Sequence, residues 1–267
     1  MVFFIFEKMG YNKIGDNMRA LITGASSGIG REMAYYLGTL GYDLILVARR
    51  KKELEKIKKQ IPTNVEIYAY DLQKTENVFQ LYQQVKEKKI DFLINNAGFG
   101  LFGEFDKTDL ERELEMIDLN IKTYHILTKL FLKDFQDRQS GRILNVASAS
   151  GFLSGPRLST YYATKNYVAK LSLAIHEELR HQKSKVHISV LCPGPVSTEF
   201  NQVAHGIFHI PSISAKKVAR YAIDKSLKNK VIIIPSLATK LGLFFNRFIS
   251  WSLSAKIIYH IQERKNV

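Results

Sequence analysis

Thr23-Gly24-Ala25-Ser26-Ser27-Gly28-Ile29-Gly30 lies between a β-branched run at 20–23 and an amphipathic stretch at 30–40. Gly24 permits the tight turn out of a strand, while Gly28 and Gly30 let the backbone approach a pyrophosphate and let a helix pack on the strand. The helix start offers free N–H groups and a positive dipole end to phosphate oxygens. Glycine patterns alone are weak, but here the strand before and the helix after supply the required context. Gly24, Ser26, Ser27, Gly28, Ile29 and Gly30 are therefore candidate phosphate-contacting residues.

Outward from this turn, short apolar runs alternate with amphipathic ones. Strands are expected at 20–23, 43–48, 65–70, 92–95, 142–147, 186–191 and 230–234. Helices are expected at 30–40, 51–60, 75–89, 110–137, 160–182 and 215–227. Strands separated by helices of this length build βαβ units, so the fold class is α/β. The expectation is one doubly wound, Rossmann-type parallel sheet of about seven strands with helices on both faces. No repeat or Pro/Gly-rich linker divides the chain, and one domain is read over 18–235. Residues 1–17 read as an appendage, with Met18 as an alternative start or a short surface arm as the other reading. Residues 236–267 form an amphipathic extension on the same domain.

Bulk composition agrees with a globular protein. The 267 residues are 46% hydrophobic and 24% charged, which argues against disorder. The single cysteine, Cys192, excludes an internal disulfide and fits a reducing compartment, so a cytoplasmic location is expected. It reads as a small buried hydrophobe rather than a nucleophile. No apolar run reaches the roughly 18 residues a spanning helix needs. The 39 basic and 25 acidic residues give a net charge of +14, which favours anionic partners. Most of that charge is scattered over helices as a solvated face, and no nucleic-acid-binding motif accompanies it.

About 20 positions beyond the glycine turn, an acidic residue would hold the ribose 2′-hydroxyl of NAD. The chain instead has Arg49-Arg50 after the second strand. A guanidinium clamps a 2′-phosphate with charge-assisted bonds, so NADP is favoured over NAD. The plainer alternative makes Arg49 and Arg50 the start of a Lys-rich solvated helix. Further on, Tyr161 and Lys165 stand four apart in a helical stretch and share a face. A nearby ammonium, with the positive oxidised nicotinamide, would lower the tyrosine pKa and make it a proton relay for a carbonyl or alcohol. Ser148, at the end of the fifth strand, could donate a hydrogen bond to the same oxygen.

These motifs together make the sequence resemble the short-chain dehydrogenase/reductase family, in its compact single-domain form, over about residues 18–235. Thr23–Gly30 matches the family's TGxxxGxG, and Asn95-Asn96-Ala97-Gly98 matches its NNAG. Asp71-Leu72 falls at the position expected to contact adenine. Asn120 falls where the family has an asparagine holding a relay water near the lysine. Ser148 precedes Tyr161 by 13 residues, the family's usual spacing, and Tyr161 rather than Tyr162 lies four before Lys165. Pro193, Gly194, Val196 and Thr198 match the loop that meets the nicotinamide. The resemblance implies Asn120, Ser148, Tyr161 and Lys165 as catalytic residues, pro-S hydride transfer, and a homodimer or homotetramer.

Substrate choice is expected to lie with 99–102, 151–159 and the apolar segment 199–213, read as a lid over a hydrophobic substrate. His205 and His209 lie there without a third ligand, so no metal site is expected. The basic, aromatic tail, with Lys240, Arg247, Lys256 and Trp251, leaves three destinations open: an anionic membrane, the substrate pocket or a second subunit. The leading reading is an NADP(H)-dependent reductase of a hydrophobic ketone, 3-ketoacyl or lipid-like. A dehydrogenase of polar hydroxy acids or sugar alcohols and a non-catalytic NADP-sensing module stay open beside it. An epimerase fits less well, because it needs a sizeable C-terminal substrate domain.

Overall fold

The computed structural model describes residues 18–200 and 212–263, and the expectations placed on 1–17, on His205 and His209 and on most of the apolar segment lie outside them. Seven parallel strands form one sheet: β1 (Arg19–Thr23), β2 (Asp43–Val47), β3 (Val65–Tyr68), β4 (Phe92–Asn95), β5 (Arg142–Val146), β6 (His187–Leu191) and β9 (Ile232–Ile233). Their order is β3-β2-β1-β4-β5-β6-β9. Two two-residue strands, β7 (Val196–Ser197) and β8 (Ile213–Ser214), pair beside the sheet, and the sequence pattern did not indicate them.

Alternation along each strand divides the core in two, because successive side chains of a strand point to opposite faces. Ala20 and Ile22 of β1, Leu44 and Leu46 of β2, and Phe92 and Ile94 of β4 enter one layer. It is covered by α1 (Gly28–Thr39), α2 (Lys51–Lys58) and α7 (Ala215–Leu227). Leu21, Ile45 and Leu93 enter the other layer. It is covered by α3 (Thr75–Val85), α5 (Tyr124–Asp137) and α6 (Ser159–His181). Strands flanked on both faces have no wet side, which is why they read as near-continuous apolar runs.

The helix expected over 110–137 is interrupted. Leu110–Ile117 forms α4, residues Asp118–Thr123 take a π-helical turn, and α5 resumes at Tyr124. Such π-turns inside α-helices concentrate at functional sites, and this one carries Asn120. The tail folds as α8 (Leu237–Phe245) and α9 (Trp251–Glu263), joined by a short 3₁₀ turn.

The chain leaves β1 for β2 on one side and returns through β3 to β4 on the other. This reversal opens a crevice beyond the carboxyl ends of β1 and β4. The glycine turn ends one of these strands and Asn95–Gly98 ends the other. Phe131 anchors the layer behind the crevice, its ring 5.4 Å from Tyr82 and 5.9 Å from Phe135, and it is 1% exposed. Phe131→Ala is expected to lower the unfolding free energy by about 3–5 kcal/mol. Denaturant titration followed by far-UV circular dichroism checks this, and a loss under about 1 kcal/mol would contradict the packing described.

Candidate active site

The phosphate turn is built by contact with the neighbouring strand end. Gly24 has φ +65°, and a Cβ on it would lie 2.7 Å from Ala97 Cα. A Cβ on Gly30 would strike the Asn96 side chain and the Gly24 carbonyl. The two loops are cross-tied: Asn96 N–H donates to Thr23 Oγ1 at 2.9 Å, and Asn96 Nδ2 donates to the Thr23 and Gly24 carbonyls at 3.1 and 3.2 Å. Gly30 therefore serves loop-to-loop packing and does not line the crevice. Ser27 is the extended N-cap of α1, its side chain makes no cap hydrogen bond, and the first turn holds no acid. The N–H groups there are left free of a capping side chain, with no acid in the helix's own first turn.

A cavity of about 530 Å³ occupies the crevice. Gly24, Ser26, Ser27, Gly28 and Ile29 line it from β1 and α1, and Arg49 and Arg50 from the end of β2. Asp71 and Leu72 line it beyond β3, Ala97 and Gly98 beyond β4, and Ser148 beyond β5. Tyr161 and Lys165 reach it from α6, and Pro193, Gly194, Val196 and Thr198 from the loop after β6.

Asn95 and Asn120 do not line the cavity. Asn95 is fully buried beneath it, with Nδ2 donating to Thr128 Oγ1 at 3.1 Å and to Asn145 Oδ1 at 2.9 Å. Its place is in a structural network that Asn145 extends to Ser172. The neighbouring Asn96 is the asparagine that reaches the cavity wall. Asn120 is likewise fully buried. Its Oδ1 accepts from Phe99 N–H at 3.2 Å, and its Nδ2 donates to the Phe99 carbonyl at 2.9 Å and to Thr164 Oγ1 at 3.1 Å.

At the phosphate end, Arg50 Nε donates to Ser26 Oγ at 3.2 Å while its Nη1 pairs with Glu199 Oε2 at 2.9 Å. Both side chains of that pair are about half exposed (48% and 47%), so the bond is weak and can yield to a stronger anion. Sequence reasoning gave Glu199 no role beyond membership of the apolar segment. At the other end, Lys165 Nζ donates to the Val146 carbonyl at 3.0 Å and lies 5.9 Å from the Tyr161 ring centroid. Burial lowers Lys165 to about 8 and raises Tyr161 to about 12. After burial, the Ser148 hydroxyl acts most on the phenol and pulls it down; Tyr162 raises it, and the Ser150 hydroxyl lowers it. The lowering expected from Lys165 is not among these influences. Ser150 escaped the sequence reading although it lies two positions beyond Ser148. Cys192 is fully buried and burial lifts its thiol to about 12, so it is an inert packing group.

The end of the cavity beside Tyr161 is apolar. Phe99, Leu153, Leu158 and Phe200 line it together with Tyr162, and the Phe200 ring stands 5.2 Å from Tyr161. Phe102 is buried away from the cavity with the Arg157 guanidinium 4.7 Å over its ring. The tail closes on this region: Gln262 Nε2 donates to Tyr162 Oη at 2.8 Å. Thr239 of α8 occupies the space a side chain at Gly194 would need. Among the described residues there is no group of three metal-ligating side chains.

The arrangement fits a dinucleotide. A Cβ on Gly98 would fall 2.8 Å from Asn120 Oδ1 and 3.3 Å from Lys165 Nζ, so only glycine leaves a cradle there. An uncapped helix start and two guanidinium groups face the opposite end, as a phosphate-bearing ligand requires. The short chain dehydrogenase family profile matches residues 18–205. An uncharacterised oxidoreductase of Staphylococcus saprophyticus is 33% identical over 223 residues, 82% of this chain and 86% of its own. A probable NADP-dependent dehydrogenase of Haemophilus influenzae is 32% identical over 203 residues, 74% of this chain and 79% of its own. A solved short-chain dehydrogenase from Sphingobium yanoikuyae, in complex with NADPH, superposes with a TM-score of 0.78 at 28% identity, covering 86% of this chain and 93% of that one. A seven-stranded sheet reversing at a glycine turn, a dinucleotide-shaped crevice and these relatives lead to one statement: the chain belongs to the short-chain dehydrogenase/reductase family and is an oxidoreductase that uses a nicotinamide cofactor.

Proposed function

We propose that the protein is an NADPH-dependent reductase of hydrophobic ketones, 3-ketoacyl or similarly lipid-like. The observation that carries this reading is the convergence of Ser148, Tyr161 and Lys165 on one cavity whose far end holds Arg49 and Arg50 and whose near wall is apolar. A bound nicotinamide supplies the hydride for the carbonyl carbon. Everything else falls to side chains of the chain.

Tyr161, a neutral phenol at physiological pH, gives its proton to the carbonyl oxygen as charge develops there. Ser148 donates a hydrogen bond to the same oxygen and stabilises that charge. Lys165, held by the Val146 carbonyl, keeps a positive charge beside the forming phenolate. The Asn120 amide is engaged with Phe99 and Thr164, so it holds the loop after β4 against α6 beside Lys165. Phe99, Leu153, Leu158 and Phe200 exclude water from the reacting carbonyl and favour an apolar substituent on it. Residues 18–235 are the catalytic unit, and the tail beyond it belongs to the same unit through its contacts to Tyr162 and Gly194.

Tyr161→Phe is expected to reduce turnover by about 10²–10⁴-fold, the range of a lost general acid, while NADPH still quenches or enhances fluorescence on binding. Retained turnover in that variant would overturn the assignment. The ketone-reduction rate should hold below pH 8 and fall as pH rises through about 8, where Lys165 loses its proton and its charge. Lys165→Arg, which keeps the charge, should move that fall upward if it folds and turns over; an unmoved profile would assign the fall to another group. The double variant Arg49→Ala, Arg50→Ala should weaken NADPH about 10–100-fold with little change for NADH, as lost charge-assisted bonds to a 2′-phosphate predict. Equal losses for both cofactors, read by paired KM measurements, would remove the 2′-phosphate reading.

A further inference from the structure

The described surface carries fourteen large hydrophobic side chains that are well exposed, and nine of them lie on α8, α9 and the turn between them. Three of them cluster at that turn: Phe245 at 64%, Phe248 at 73% and Trp251 at 89%. They are ordered rather than scattered, since the Phe244 ring lies 5.5 Å from Phe245 and 5.4 Å from Phe248. α8 buries none of its residues and α9 buries only Ser254 and Gln262, and most of the large apolar side chains of the pair are exposed. Contiguous exposed apolar surface of this kind marks an interaction site.

Charge tells what the surface meets. From Lys225 to Gln262 the sequence holds six lysines and arginines and no aspartate or glutamate. Three of these cations, Lys240, Arg247 and Lys256, are interleaved with the apolar residues of the helix pair. A second copy of a chain of charge +14 would set these cations against their own kind. An anionic surface would neutralise them. Aromatic rings at the turn, with Arg247 among them and Lys240 and Lys256 on the flanking helices, are an arrangement that seats at a headgroup boundary. No helix among the described residues is long and apolar enough to cross a membrane, so the contact is peripheral.

We infer that α8 and α9 form a docking surface for an anionic lipid bilayer, with Phe245, Phe248 and Trp251 entering the headgroup region. The pair is also part of the cavity's surroundings, through Gln262 on Tyr162 and Thr239 against Gly194. Docking therefore brings the apolar end of the cavity close to the lipid, where a lipid-like ketone is concentrated.

Trp251 is the only tryptophan, so its emission reports the surface itself. The full chain is mixed at low salt with vesicles of phosphatidylcholine, with or without about one third phosphatidylglycerol, and followed by emission and flotation. The expected result is a blue shift and flotation with the anionic vesicles, at least about tenfold weaker with phosphatidylcholine alone and weakened by salt. The variant Phe245→Ser, Phe248→Ser should lose binding at least about tenfold while keeping Trp251 and binding NADPH normally. An unshifted emission with the protein left in the aqueous fraction would overturn the inference. So would sedimentation equilibrium showing a dimer that this variant dissociates, because the face would then belong to a second copy. NADPH binding and turnover of a water-soluble ketone are measured without vesicles, so a failure of docking is distinguishable from a failure of the reductase reading.

Discussion

The structure depends on how closely two loops approach at the point where the sheet reverses. The β1 turn and the β4 end are tied by three kinds of contact: the Thr23 hydroxyl, the Asn96 amide, and the bare Cα atoms of Gly24 and Gly30. A side chain at either glycine would strike the backbone or the Asn96 amide, neither of which can move without breaking the tie. That contact fixes where α1 begins. It thereby fixes where unpaired N–H groups point and how far apart the phosphate and reacting ends of the crevice stand. Asn120 makes an analogous tie on the other side, anchoring Phe99 to a π-turn and Thr164 on α6. Two asparagines thus fix the loops that frame the crevice.

Within that frame, burial sets the protonation states. It disfavours charge on both Tyr161 and Lys165, raising one to about 12 and lowering the other to about 8. The consequence is a site in which both groups hold their protons at neutral pH, as the proposed carbonyl reduction would require. The reverse reaction needs the phenolate, which burial opposes. Only added positive charge next to the phenol would make it accessible.

The sequence made the fold legible because each strand carries its own signal. Runs such as Leu44-Ile45-Leu46 are apolar on both faces, and the helices between them are long enough to force parallel pairing. The glycine turn and the Tyr161–Lys165 spacing are local and survive as text. What the text concealed is pairwise. Gly30 read as a pyrophosphate contact because its neighbour in space, Asn96, is 66 positions away. Asn95 and Asn96 are adjacent and chemically identical, yet the last residue of β4 enters the core and the first residue of the loop after it reaches the cavity wall. Glu199 has no periodic signature; its partnership with Arg50 exists only once the loop after β6 has folded back. The π-turn at Asn120 was invisible for another reason, since an inserted residue leaves the helical pattern on either side nearly unchanged.

The tail shows the same limit at larger scale. A basic, aromatic amphipathic stretch can cover a pocket, a partner or a bilayer, and hydrophobic pattern alone does not choose among them. In the folded chain the first role is filled by very few groups, Gln262 on Tyr162 and Thr239 against Gly194. Helices of nine and thirteen residues are marginal on propensity alone and draw their stability from an apolar face packed against something. Here the larger part of that face points away from the sheet. The contacts to Tyr162 and Gly194 hold the pair in place beside the cavity, whereas the apolar face gains its stabilisation only when another surface covers it. A helix pair built this way links the cavity wall to whatever covers that face. Its contact with Tyr162 is the route by which docking would be felt at the substrate.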